Sequence, residues 1–389
     1  MALSVVFADG FLANGVACGI KGSGALDLAL VMSKGGKPIP CFATFTQNKA
    51  AAAPVVLSKE HLLKSNNRAA AWLLSSGNAN AATGSRGLQD AQAMCAAIAD
   101  ELSIATHEVG VCSTGLIGIY MPIERPLAKI SSLVHGASGD EAHGVLAAEA
   151  IMTTDTFAKF ATYEGNGYRI GGMAKGAAMI SPNMATMLAV ITTDAIVDDD
   201  RLSRALTQAV SLTFNRLTID GCTSTNDTVA LMSSSLYPAD EHFEEALLQV
   251  CKSLADQIAF DAEGATKMVR IEVEGAISVE EALVGARKIA ESQLVKCSLY
   301  GKDPYWGRVA SELGSSGIDF DLGKLSISYQ GIEVAREGIG FDYDRSHLER
   351  LLEEREIKVS VNLGMGEASA VITTTDLGPG YIDENMGTS

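Results

Sequence analysis

The chain reads as a mixed α/β protein of sheets layered with helices, and three observations lead there. Apolar residues recur at helical spacing in three stretches. Runs of strand length, β-branched or alternating, lie between and after them. No low-complexity linker cuts the 389 residues into separable pieces, and with 47% hydrophobic and 20% charged residues there is material for a large core or two lobes.

In chain order, residues 85–101 place Leu88, Ala91, Cys95 and Ile98 on one helix face. A loop-like run, GGMAKGAAMISPNM, fills 171–184, and a strand is expected over 187–193. Three aspartates, Asp198 to Asp200, suit the positive end of a helix over 201–216 with the stripe Leu202, Leu206, Ala209, Val210 and Phe214. Residues 243–258 repeat the pattern with Phe243, Leu247, Val250, Cys251, Leu254 and Ile258. Further strands are expected over 269–273, over 324–335 as a hairpin turning at Gln330-Gly331, over 357–363 and over 369–374. The segments AVITTD (189–194) and AVITTTD (370–376) echo one another, which raises internal symmetry as an expectation.

The formal net charge of −17 repels phosphate backbones and anionic membranes, so neither nucleic acid nor a membrane is expected as a partner. Seven cysteines form no CxxC pair and leave one odd, which fits neither a disulfide framework nor a zinc site. The opening MALSVVFADGF has no basic n-region and no long apolar core, and no window reaches membrane-spanning length. A reduced, cytoplasmic protein is expected.

The chemistry concentrates in the segment Lys175-Gly-Ala-Ala-Met-Ile-Ser-Pro-Asn-Met-Ala-Thr186-Met-Leu. A threonine hydroxyl stays protonated near neutral pH and needs a base beside it. Its own α-amine, with a pKa of roughly 7.7–8.0, is such a base once the preceding peptide bond is cut. That places a candidate cleavage between Ala185 and Thr186, by N→O acyl shift of the threonine itself. On spacing alone the ordinary reading, a threonine opening a strand, is favoured. The six histidines offer no alternative, since none stands in a serine-hydrolase elbow or a metal-ligand spacing.

This segment resembles the cleavage-site signature KGxGMIxPxMATML of the glutamate N-acetyltransferases, also called ornithine acetyltransferases, of arginine biosynthesis. GFLANGVACGIK (10–21), FTQNKAAAAPV (45–55), SSGNANAATG (75–84), CSTGLIG (112–118), AIMTTDT (150–156), TIDGCTSTNDT (218–228), DAEGATK (261–267) and DPYWGR (303–308) resemble further blocks of that family in the same order. The resemblance implies an N-terminal-nucleophile-like α/β layered sandwich, the self-cleaving acyltransferase fold of that family. It implies an alpha fragment 1–185 and a beta fragment 186–389, two copies of each, forming one main α/β body with a smaller C-terminal lobe over roughly 280–389.

The resemblance also assigns roles. Thr186 is the nucleophile; Thr114, through its hydroxyl, and Gly115, through its backbone N–H, form the oxyanion hole; Thr153, Lys175, Glu263, Asn385 and Ser389 bind substrate. Read without it, Thr114-Gly115 is a tight turn, Lys175 a solvated loop lysine, Thr153 a capping cluster and Glu263 an exposed turn carboxylate. Glu263 suits the side-chain ammonium of ornithine. The implied reaction moves acetyl from N-acetylornithine to glutamate through an acetyl-threonine, without metal or organic cofactor; some members also take the group from acetyl-CoA. The chain departs from the family at Cys222, where aspartate is usual, at Ser75 and Ala82, where lysine and cysteine are common, and in a tail one residue short, Asn385-Met-Gly-Thr388-Ser389. The rival readings are an N-terminal-nucleophile amidohydrolase, such as the self-cleaving β-peptidyl aminopeptidases, and a non-catalytic metabolite-binding relative.

Overall fold

A computed structural model describes residues 4–181 and 187–386. The chain divides into two compact units, residues 1–215 with 222–258, and residues 216–221 with 259–389. Among the described residues, no helix is long and apolar enough to cross a membrane.

The first unit holds β1 (Phe11–Val16), β2 (Leu28–Ser33), β3 (Ile39–Phe45), β4 (Arg68–Ala69), β5 (Ala71–Asn78), β6 (Val109–Leu116), β7 (Lys159–Glu164), β8 (Arg169–Lys175), β9 (Leu188–Ile196) and β10 (Thr228–Pro238). They form two sheets, in orders β1-β2-β5-β6 and β4-β3-β10-β9-β8-β7, with the β5–β6 and β9–β10 pairs parallel and the rest antiparallel. Pleating sorts the side chains of the first sheet onto two faces. Leu28, Leu30, Ala71 and Leu73 pack with Leu57, Ala91, Met94, Cys95 and Ile98 from the helices Ala53–Lys64 and Gly84–Leu102. Ala29, Val31, Trp72 and Leu74 point the other way and meet Leu188, Val190, Ala230 and Met232 of the second sheet. The helix Phe243–Phe260 covers the outer face of the second sheet, where Leu254 and Val250 lie against Gly172 of β8. The unit is thus a helix–sheet–sheet–helix sandwich.

The three expected helices form. In Gly84–Leu102 the stripe is rotated from expectation: Ala91, Cys95 and Ile98 are buried with Met94 and Ala99, while Leu88 is 38% exposed. In Asp199–Leu212 the Asp198 side chain caps the N-terminus by accepting the Arg201 N–H at 2.9 Å. Phe214 is buried beyond that helix, in a 3₁₀ turn, because the helix stops at Leu212. All six stripe residues of the third helix are buried.

The loop expected over 171–184 is a strand over its first five residues. β8 pairs antiparallel with both β7 and β9, which closes its backbone hydrogen bonds. Its glycines answer a close approach: a Cβ on Gly171 would stand 2.6 Å from the Ser4 carbonyl oxygen. Ala185, Thr186 and the fragment boundary between them lie outside the described residues, as do Pro182 to Met184.

The second unit holds β11 (Met268–Ala276), β12 (Ser326–Tyr329), β13 (Ile332–Arg336), β14 (Ile339–Gly340), β15 (Glu356–Asn362) and β16 (Ala368–Thr375), in one sheet of order β14-β13-β12-β15-β11-β16. Along β15, Ile357, Val359 and Val361 are buried and alternate with more exposed residues, so one face carries the core. The helices Val279–Ala290 and Trp306–Gly314 supply Ala286, Ile289, Val309 and Leu313 to it. The β12–β13 hairpin turns at Gln330 and Gly331, both with positive φ (49° and 79°), the backbone that matches the twist of paired strands. The sequence echo does not mark equivalent places: β9 lies inside its sheet between β8 and β10, whereas β16 is an edge strand.

Candidate active site

In the first unit the C-terminal end of β8 and the starts of β9 and β10 lie side by side: Lys175 pairs with Leu188, and Leu188 with Thr228. Lys175, only 3% exposed, is a strand residue and not the solvated loop lysine of the bare sequence reading. Its Nζ donates to Thr114 Oγ1 at 3.3 Å, at the end of β6, and stands 4.0 Å from Asp155 Oδ2. The structure therefore brings together Thr114 and Lys175, which the sequence separates by 61 residues.

Asp155 organises the rest. Its Oδ1 accepts from Lys159 Nζ at 2.7 Å and from the Gly176 N–H at 2.8 Å, and its Oδ2 accepts from the Thr153 N–H at 2.9 Å. Burial alone would raise its pKa, but the Lys175 and Lys159 ammonium groups and the two hydrogen bonds at Oδ1 outweigh it and hold the carboxyl at about 2. Thr153 itself is exposed, so its backbone is pinned while its side chain is open to solvent. Two buried lysines thus face one buried carboxylate.

Gly115 follows Thr114 with φ at +126°, and a Cβ there would sit 2.4 Å from the Gly77 carbonyl carbon. Only glycine fits that turn without moving β5. Thr114 is buried and Gly115 exposed, so the turn runs from the interior to the surface. Asn226 braces this turn from the β10 side, donating from Nδ2 to the Ala79 carbonyl at 2.6 Å and to the Ser113 carbonyl at 2.8 Å. Asp227 accepts the Met187 N–H at 3.0 Å.

In the second unit Glu263 is buried and its Oε2 accepts from Asn385 Nδ2 at 2.7 Å. Asn385 ends the helix Pro379–Asn385, which is fastened to the 261–266 turn also by Glu384 on the Gly264 N–H, so the chain is no frayed tail up to that point. Ser389, with Thr388, lies outside the described residues.

Asp155, Lys159, Asn226 and Asp227 were not singled out from sequence, although AIMTTDT and TIDGCTSTNDT contain three of them. The available signal was an acidic residue next to small hydroxyl residues at a strand end. Of the departures, Cys222 and Ala82 are exposed, and Ser75 donates to Ser113 Oγ at 2.9 Å inside the core. His61, the buried histidine, spends Nδ1 on the Val109 carbonyl at 2.8 Å, and burial lowers its pKa. Among the described residues no group of three or more His, Cys, Asp or Glu side chains is arranged to hold a metal ion.

Comparison with known proteins gives consistent matches along the chain. The ArgJ family model matches residues 12–387. An arginine biosynthesis bifunctional protein ArgJ of Mycobacterium tuberculosis is 45% identical over 389 residues, covering 98% of this chain and 95% of that protein. Its counterpart from Thermobifida fusca is 43% identical over 390 residues, covering all of both chains. A solved ornithine acetyltransferase of Mycobacterium tuberculosis, crystallised with ornithine, is 43% identical over 46% of this chain and 95% of its own, with a TM-score of 0.44.

Proposed function

The chain belongs to the ArgJ family, and from that premise we propose that it transfers the acetyl group of N-acetylornithine to glutamate through an acetyl ester on Thr186. The observation that supports this best is the buried Lys175–Thr114 contact, 3.3 Å long, at the strand end eleven residues ahead of Thr186.

In this reading the chain cuts itself between Ala185 and Thr186, giving fragments 1–185 and 186–389 that assemble as two copies of each. The freed α-amine of Thr186 takes the hydroxyl proton as Oγ attacks the acetyl carbonyl. The Thr114 hydroxyl and Gly115 N–H bind the oxyanion. The acetyl C–N bond breaks, and the proton passes to the departing amine of ornithine. The amine of glutamate then attacks the ester, the C–O bond breaks, and the proton returns to Thr186 Oγ. Lys175 and Thr153 hold the substrate carboxylate, and Glu263, Asn385 and Ser389 complete substrate binding. No step calls for a metal or an organic cofactor; acetyl-CoA serves as a second acetyl donor, and the reduced cytoplasm is the compartment.

The test is the intact mass of the purified protein under denaturing conditions, beside a Thr186→Ala variant. Two fragments meeting at Ala185–Thr186, absent from the variant, support self-cleavage, and a single uncut chain in both defeats the freed-amine mechanism. Product analysis separates transfer from hydrolysis: acetylglutamate means transferase, free acetate hydrolase. Acetylglutamate from glutamate and acetyl-CoA alone, at a rate comparable with the acetylornithine reaction, establishes the second donor.

A further inference from the structure

β6 is the outer strand of its sheet, so one row of its main-chain groups has no strand to pair with among the described residues. Along a strand these groups alternate between the two sides, and side chains close the open row at every second residue. His61 Nδ1 stands 2.8 Å from the Val109 carbonyl oxygen. Ser58 Oγ accepts the Val111 N–H at 2.9 Å and donates to the Val111 carbonyl at 2.8 Å. Asn226 Nδ2 donates to the Ser113 carbonyl at 2.8 Å. By the same alternation, the next group on this row is the Gly115 N–H, which the proposed reaction uses.

His61 and Ser58 come from one helix, Ala53–Lys64, that runs beside the strand. Asn226 comes from the loop before β10 and reaches two strand ends at once. Its Nδ2 also donates to the Ala79 carbonyl at 2.6 Å, just past the end of β5. The Ala79 N–H in turn donates to the Leu116 carbonyl at 2.9 Å. The Thr114–Gly115 turn is thus pinned before, at Ser113, and after, at Leu116 through Ala79. Strand pairing alone does not fix it, because the β5–β6 register slips there and Asn78 lies opposite both Thr114 and Leu116.

The amide that holds the turn is itself locked. Asn226 is 4% exposed. Its Oδ1 accepts from the Thr225 hydroxyl at 2.5 Å, its N–H donates to Ser224 Oγ at 3.0 Å, and its carbonyl accepts from the Thr228 hydroxyl at 3.1 Å. Two carbonyls on one side and a hydroxyl donor on the other leave the side chain one orientation. An aspartate would set acceptors against both carbonyls, so this place requires an amide.

We infer that Asn226 is the positioning residue of the oxyanion turn: its amide fixes the Ser113 and Ala79 carbonyls, and with them the direction of the Gly115 N–H and the place of the Thr114 hydroxyl. A donor stabilises developing charge only where it already points at it, so a turn released by about an ångström loses most of the benefit. The role rests on the reading of Thr114 and Gly115 as oxyanion donors.

The experiment sets Asn226→Ala beside Ser58→Ala and Thr114→Ala in the full-length chain, each checked for melting temperature and for cleavage by mass. Ser58→Ala removes a hold on the same row, at Val111, and so shares any purely structural cost. In Asn226→Ala, kcat is expected to fall by about thirtyfold or more while KM for N-acetylornithine stays within about threefold. Ser58→Ala should keep kcat within about threefold at a similar loss of melting temperature. A kcat of Asn226→Ala within about twofold of wild type, or an equal fall in Ser58→Ala, overturns the role. A folded Asn226→Ala that stays uncut places the effect at cleavage and overturns the role in transfer. Should Asn226→Ala not fold, Asn226→Ser keeps one donor and decides: a kcat lower by about tenfold supports the role, and one within about twofold overturns it. Near-wild-type kcat in Thr114→Ala would sink the oxyanion reading and this role with it, whereas a slow Thr114→Ala beside a fast Asn226→Ala overturns the role alone.

Discussion

Replacing Asp155 by Asn tests the electrostatic account of the site. Asp155 and Lys159 are both fully buried with 2.7 Å between them, and Lys175 adds a second ammonium 4.0 Å away. Depression of the carboxyl from 3.8 to about 2 corresponds to roughly 2.5 kcal/mol of stability at neutral pH. The mutational route gives a similar figure: removing one partner of a buried pair costs about 3–5 kcal/mol, because a charge is left uncompensated. For a unit of this size the loss lowers the melting temperature by roughly 6–12 °C. The sign with pH is fixed. A depressed folded-state pKa gives stability that is complete above the unfolded value near 4 and is lost as pH falls toward 2. The gap between wild type and variant should therefore shrink to about half by pH 3. Urea titrations at intervals from pH 7 to pH 3 measure it. A variant within 2 °C of wild type at pH 7 (about 0.5–1 kcal/mol), or a gap that ignores pH, refutes the reasoning.

Gly115→Ala keeps the backbone N–H but displaces it, because the new Cβ meets the Gly77 main chain; kcat should fall by up to about 10²–10³, the effect of a misplaced oxyanion donor, with a melting temperature a few degrees lower, and near-wild-type steady-state kinetics would contradict the turn's role. Glu263→Gln keeps an acceptor for Asn385 and removes the charge, so KM for N-acetylornithine should rise about tenfold, roughly 1.4 kcal/mol, with kcat within threefold, about 0.7 kcal/mol. Native alkylation followed by mass measurement should label Cys222 and Cys297 rapidly, since they are exposed. Cys41, Cys95, Cys112 and Cys251 should resist, being buried with thiols pushed upward, Cys41 and Cys112 to about 12. Cys18 should also resist, because partial burial and Asp27 push its thiol to about 12; a fast third adduct contradicts this.

What could be read from sequence follows from which faces are wet. β15 alternates because one face packs on a core and the other does not, and it was expected at 357–363 within a residue at either end. The helix Phe243–Phe260 showed its stripe for the same reason. In the first unit, β2 and β5 are buried on both faces, β5 runs into Ser-Ser-Gly-Asn and β6 into Ser-Thr-Gly, so neither alternation nor bulk marks them as strands. β8 is hidden for a related reason: Gly171 lies against Ser4 and Gly172 against Leu254 and Val250, yet in one dimension glycine signals a loop.

The candidate site is named by family pattern and not by local chemistry, and Lys175 shows why. A lysine between alanine and glycine is solvated in most chains. What sets it apart is a carboxylate 20 residues earlier, at Asp155, and a hydroxyl 61 residues earlier, at Thr114, meeting it at one end of two stacked sheets. Neither separation has a period that a local window detects. The polar residues of this site also stand at strand ends, where Ser, Thr, Asn and Asp occur anyway as turn formers. Burial separates the two cases: a turn aspartate is wet, whereas Asp155 and Asp227 are sealed inside the first unit. That burial exists only once the chain is folded, and no local window of sequence carries it.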